Sequence, residues 1–295
     1  MDEVIYTPRF IEDYVILEVN EAIKKYKVLT YEQYLQIANK FLAEHGEKYD
    51  AYLRTLGNLA KDKYGDTIST FEGMKNKFKE DFITALQKRG ILPQDETDKK
   101  LWLLREYLKA TQIHFTFIGG GSGGGTEKVE NYVNIDWIQE YKFVEDFPER
   151  KFAYDLLAMI TVFHELAHRF SIFLGTPTNK LTGGKYIDAE ESFAQGVAHV
   201  IANYLNIRDD YTAYYQQKNE EIKGLKCRIG VAAVINLIYS EAKKIKLDIL
   251  SRRCYNLAFI YHPADPRRIE AYSNPMEESE VRAIVITAME KIRPA

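Results

Sequence analysis

Residues 151 to 174 form a segment whose pattern leaves little choice of structure. Ala153, Leu156, Leu157, Ile160, Phe163, Ala167, Phe170 and Leu174 recur there at three- and four-residue steps. That spacing predicts a buried helix, and Gly175 and Pro177 end it. Within the helix stands Phe163-His164-Glu165-Leu166-Ala167-His168-Arg169, an H-E-x-x-H motif. A four-residue step turns about 400°, so His164 and His168 lie one above the other on one face. Two imidazoles placed in this way can grip one metal ion. Glu165, about 100° around the helix from His164, can reach a water on that metal without being forced to ligate it. The expectation is a zinc hydrolase with Glu165 as general base. The alternative is a pair of core histidines satisfied by neighbouring carbonyls.

A catalytic zinc site needs a third protein ligand and an open position. Asp188-Ala189-Glu190-Glu191-Ser192-Phe193-Ala194-Gln195-Gly196-Val197-Ala198 opens a second helical segment after a gap long enough for a loop and a return. The pair of segments resembles the gluzincin pattern, H-E-x-x-H followed by a ligating Glu on a second helix, as in thermolysin-like enzymes and ImmA/IrrE-type metallopeptidases. The latter carry E-x-x-A-(N/D)-x-x-A, onto which Glu191, Ala194, Gln195 and Ala198 fall. The resemblance therefore implies Glu191, rather than Glu190, as third ligand, with Gln195 behind a ligating His. Gln195 departs from the pattern: a neutral amide can orient a His N–H but lacks the charge that raises ligand basicity, so somewhat weaker zinc binding is expected. The other reading of Glu190 and Glu191 is an acidic first turn complementing the helix dipole.

A third fragment, Tyr261-His262-Pro263-Ala264-Asp265-Pro266-Arg267-Arg268-Ile269, resembles the H-P-x-x-x-x-R-I element of HtpX-like and Oma-type peptidases. That resemblance implies that His262 stabilises an oxyanion or occupies the fourth metal position, with Tyr261 or Arg268 in reserve. Arg268 would be structural support or a carbonyl clamp. The alternative for His-Pro is a turn with a solvated His. His199 lies only about 80° around the helix from Glu191 and is read as a core or orienting residue; His45 and His114 have no metal-type context.

At 295 residues, with 46% apolar and 28% charged residues, the chain can bury a large core. The net charge of -3 argues against a nucleic-acid partner. Cys227 and Cys254 are too few for a disulfide framework. The N-terminus lacks a secretory pattern, and runs such as Ile229 to Tyr239 and Ala283 to Met289 are far short of a bilayer span. A cytoplasmic protein outside the membrane is expected.

Periodicity over 1–110 predicts helices at about 10 to 25, 30 to 45, 48 to 63, 70 to 89 and 97 to 110, parted at Gly46, Gly65 and Gly90. This region is a lid, a recruiting module or half of the core. From Thr111 the pattern changes: Ile113, Phe115 and Phe117, and then Val133, Ile135 and Trp137, alternate with other residues and predict two strands joined as a hairpin. Between them Gly119 to Gly125 reads as a flexible linker, or else as a natural glycine-rich loop. Zincins place the last strand before the active-site helix at the sheet edge, where substrate adds as a further strand. The resemblance thus implies a substrate edge at Tyr132, Val133, Asn134, Ile135 and Asp136. Helical patterning continues over 208–222 and 225–262, and Asn274-Pro275 starts a helix at 276 to 292.

The expected architecture is mostly helical α+β and zincin-like, with a small antiparallel sheet beside the H-E-x-x-H helix. Residues 111–295 form the catalytic domain. The expected activity is hydrolysis of peptide bonds in a protein substrate. A non-catalytic peptide-binding or regulatory protein of the same fold, and a zinc amidase acting on a small molecule, stay open.

Overall fold

A computed structural model describes residues 8–26, 29–117, 124–126, 131–146, 153–175, 184–210, 212–213, 234, 237–238 and 275–292. Four helices come first: α1 (Pro8–Tyr26), α2 (Tyr31–Gly73), α3 (Lys75–Lys88) and α4 (Lys99–Ala110). A small sheet follows, built from β1 (Gln112–Thr116), β2 (Gly124–Thr126) and β3 (Tyr132–Asp136). Helices α5 (Trp137–Asp146), α6 (Tyr154–Leu174), α7 (Gly184–Tyr204) and α8 (Glu278–Lys291) complete the described elements. The chain is mostly helical, with one small mixed sheet.

The helix starts follow local chemistry. Thr30 and Gln33 form a reciprocal capping box at α2, and the Asp98 carboxylate accepts from the Lys100 and Leu101 amides at α4. Helix α2 departs from the expected pattern by running through Gly46 without a break. Ile37, Ala38, Phe41, Tyr49, Tyr52, Leu53, Leu56 and Ala60 are all buried along it. One glycine costs a helix about 1 kcal/mol, less than this continuous apolar stripe contributes by burial. The backbone leaves helical geometry only at Tyr64, beside Gly65, where the Tyr64 ring stacks on Tyr154 at 4.0 Å.

The sheet corrects several expectations. Its order is β1-β3-β2, with β1 parallel to β3 and β2 antiparallel to it. The sequence-predicted hairpin of β1 with β3 is thus a parallel pair, and the true antiparallel partner is β2, inside the glycine run. Gly124 pairs with Ile135, Gly125 with Asn134 and Thr126 with Val133. Tyr132, Val133, Asn134, Ile135 and Asp136 therefore form the central strand, flanked on both sides, and are not the edge. Alternation records which face of a strand is buried, but not which strand pairs with it. Trp137 does not extend the strand; Asp136 accepts from the Ile138 amide at 3.1 Å and turns the chain into α5.

Helix α6 is buried on almost all sides. Phe78 and Phe82 of α3 pack edge-on against its Phe163 and Phe170, and α7 lies along another face. Residues of α1 to α4 and of α5 to α8 belong to one apolar core. By length and composition α6 could cross a bilayer, yet 78% of its most apolar window is buried within the protein. Its C-terminus is closed by Gly175 at φ 55°, a left-handed position that glycine takes without strain. Helix α8 begins at Glu278, later than Asn274-Pro275 implies. The Met276 amide donates to the Ser192 carbonyl at 3.1 Å, which holds the preceding residues against α7 before the helix starts.

Candidate metal centre

Helices α6 and α7 bring His164, His168 and Glu191 to one point, all three buried. The two Nε2 atoms are 3.1 Å apart, and Glu191 Oε2 lies 3.4 Å from His164 Nε2 and 3.5 Å from His168 Nε2. Donors held about 2.0–2.1 Å from one ion at tetrahedral angles are about 3.3 Å from one another. The three observed separations cluster on that value, and two imidazoles with one carboxylate suit a borderline divalent ion. The residues present therefore fit a metal. The imidazole planes stand at 89°, so neither ring blocks the other's Nε2.

The electrostatics agree with this geometry. Burial would push the His168 pKa below its ordinary value, but the carboxylates of Glu191, Glu190 and Glu165 outweigh burial and raise it. Three carboxylates around two imidazoles in a desolvated interface favour a cation there.

In comparisons with known protein families, curated proteins and solved structures, the chain matches none. The case for this site is carried by its own geometry.

Glu165 is buried and faces the sheet. The Thr126 hydroxyl of β2 lies 2.8 Å from Glu165 Oε2 and 3.0 Å from the Glu165 carbonyl oxygen. Gly124, two residues earlier, leaves no room for a side chain: a Cβ there would stand 2.8 Å from Glu165 Cγ, 2.9 Å from Thr161 Cγ2 and 3.0 Å from Glu165 Oε1. The glycine run thus includes part of the site wall. Thr161, one turn before Glu165, donates its hydroxyl to the buried Glu140 carboxylate at 2.9 Å.

Gln195 is buried on α7, one turn beyond Glu191. His199, further along α7, is partly buried and accepts from Arg208 Nε at 3.3 Å, the contact of a neutral imidazole outside the triad. Tyr261, His262 and Arg268 lie outside the described residues. Sequence reasoning missed Thr126 and gave Glu190 only an alternative register or a place in an acidic first turn. The signal for Thr126 was its place at the end of the glycine run, where a β-branched residue resumes strand propensity.

Proposed function

We propose that the chain is a zinc metallopeptidase of gluzincin type, hydrolysing peptide bonds in a protein substrate. The observation that carries this reading is the convergence of His164, His168 and Glu191 at tetrahedral spacing, with Glu165 on the same helix turn. His164, His168 and Glu191 would hold the ion, and three protein donors leave one position for water or substrate. Bound there, zinc supplies Lewis acidity, lowering the pKa of water and polarising a carbonyl.

The remaining work falls to the protein. Glu165 takes the proton from the attacking water and returns it to the leaving amine. Thr126 engages Oε2, so the proton travels on Oε1. Gly124 leaves Oε1 its room, because a Cβ there would stand 3.0 Å from that oxygen. A stretched peptide needs a strand edge whose main-chain groups can pair with it. Among the described strands β2, rather than β3, is the edge beside Glu165.

The test begins with metal content, measured by mass spectrometry on protein purified without added metal. One zinc per chain, lost in His164→Ala, supports the reading; no metal after zinc is supplied overturns it. Peptide-library cleavage then follows with Glu165→Gln as control. That variant should retain zinc and lose about 10²- to 10⁴-fold in turnover, the range of a missing general base.

A further inference from the structure

Two adjacent buried glutamates meet the same histidine from opposite sides. Glu191 Oε2 lies 3.5 Å from His168 Nε2, within the donor cluster. Glu190 Oε1 lies 3.5 Å from His168 Nδ1, the ring nitrogen turned away from that cluster. Neighbouring residues on a helix point about 100° apart, and α7 uses that angle to set one carboxylate before the imidazole and one behind it. Both are almost fully buried, at 2% and 5% exposure, so neither is the solvated acidic first turn that the sequence also allowed.

We infer that Glu190 is a positioning residue for the metal centre, holding the proton of His168 on Nδ1 so that Nε2 presents its lone pair to the ion. This rests on the metal reading above and adds a role that the motif does not carry. An imidazole can place its single proton on either nitrogen, and only one tautomer leaves Nε2 as a donor. A carboxylate behind the ring selects that tautomer, fixes the ring plane and raises the basicity of the ligating nitrogen. A neutral amide such as Gln195 can orient a ring but supplies no charge; in this site Glu190 brings a carboxylate to one of the two imidazoles. Division of labour also explains why a pair of glutamates is buried where one ligand suffices.

The experiment is zinc affinity, measured by competition with a chelating dye on the full-length chain, together with the imidazole N–H resonance of His168 in zinc-loaded protein. In the parent, His168 should carry its proton on Nδ1, with a downfield shift from the carboxylate. Glu190→Gln preserves size and removes the charge; it should bind one zinc about 10- to 100-fold more weakly and move that resonance upfield. Equal affinity in parent and variant would overturn the role of Glu190 while leaving the metal site standing. A parent whose His168 is metallated through Nδ1 would overturn it without recourse to any variant. A parent that binds no zinc would remove the metal reading and this inference together.

Discussion

At the scale of single residues, the site depends on what is absent as much as on what is present. Gly124 gives Glu165 its space, and Thr126 gives it a buried donor at 2.8 Å. Thr126→Val keeps the branched shape and removes the hydroxyl, leaving a buried carboxylate oxygen short of a partner, which costs about 1–3 kcal/mol. Turnover on a peptide identified by library screening should fall about 10-fold or more, with zinc content unchanged, whereas Thr126→Ser should stay near the parent. Gly124→Ala should fall further, because its Cβ collides with Glu165 Cγ and Thr161 Cγ2 and the carboxylate must swing away. Parent-like turnover in both Thr126→Val and Gly124→Ala would show that β2 does not position Glu165. His164, Glu165 and His168 are legible in the sequence because helical spacing is local and fixes their mutual placement. Thr126 and Gly124 are not legible in this way. Their role arises from a strand pairing, and a glycine offers no side-chain pattern to read.

At the scale of elements, α7 lies between the candidate metal centre and α8. Gly196 lies one residue beyond Gln195, and a Cβ there would stand 2.6 Å from the Met276 carbonyl oxygen and 2.8 Å from Val281 Cγ2. The contact is with backbone, so it cannot be relieved by rotating a side chain. Gly196→Ala gains helix propensity of up to about 1 kcal/mol but incurs an overpacking cost of about 1–3 kcal/mol. A net loss of stability is expected, read as a lower urea midpoint; a higher midpoint would refute the close approach of residues 275–277 to α7. His199 on the same helix is held below its ordinary pKa by burial first and by the Arg208 charge second, against Glu277 and Glu278, which favour its protonation. A histidine depressed in the folded state binds its proton more readily when unfolded. Stability is therefore lost as pH falls below about 6.5 toward the folded value and is retained above it. His199→Gln, whose amide oxygen can still accept from Arg208, should flatten that part of the stability profile between pH 7 and 5; an unchanged slope would show that His199 does not contribute. Element boundaries were largely legible where a cap or terminator agrees with periodicity, as at Thr30 and Gly175. They were not where packing overrides a local signal, as at Gly46 inside α2 and Asn274-Pro275 before α8.

At the scale of the whole molecule, the candidate metal site ties together the two helices at the centre of the core. Helix α6 touches α3, α4, α5, α7, α8 and the strands β2 and β3, so whatever links α6 to α7 bears on the entire packing. The sequence could not reveal this, since the apolar stripes of α2 and α3 do not say which helix they cover. An ion that binds the folded chain and not the unfolded one adds RT ln(1 + [L]/Kd), about 2.7 kcal/mol at a free concentration 100 times Kd. For a chain of this size that corresponds to a rise in melting temperature on the order of 5 °C. Calorimetry with saturating zinc and with a chelator should show that difference for the parent. Glu191→Ala, which removes the only donor α7 contributes to the triad, should abolish most of it, because two histidines on a single helix no longer bridge anything. A zinc-dependent rise that survives in Glu191→Ala would mean that the ion binds elsewhere, and the α6–α7 interface would then owe its cohesion to Leu166, Phe170, Phe193 and Val197 of the buried core rather than to a metal.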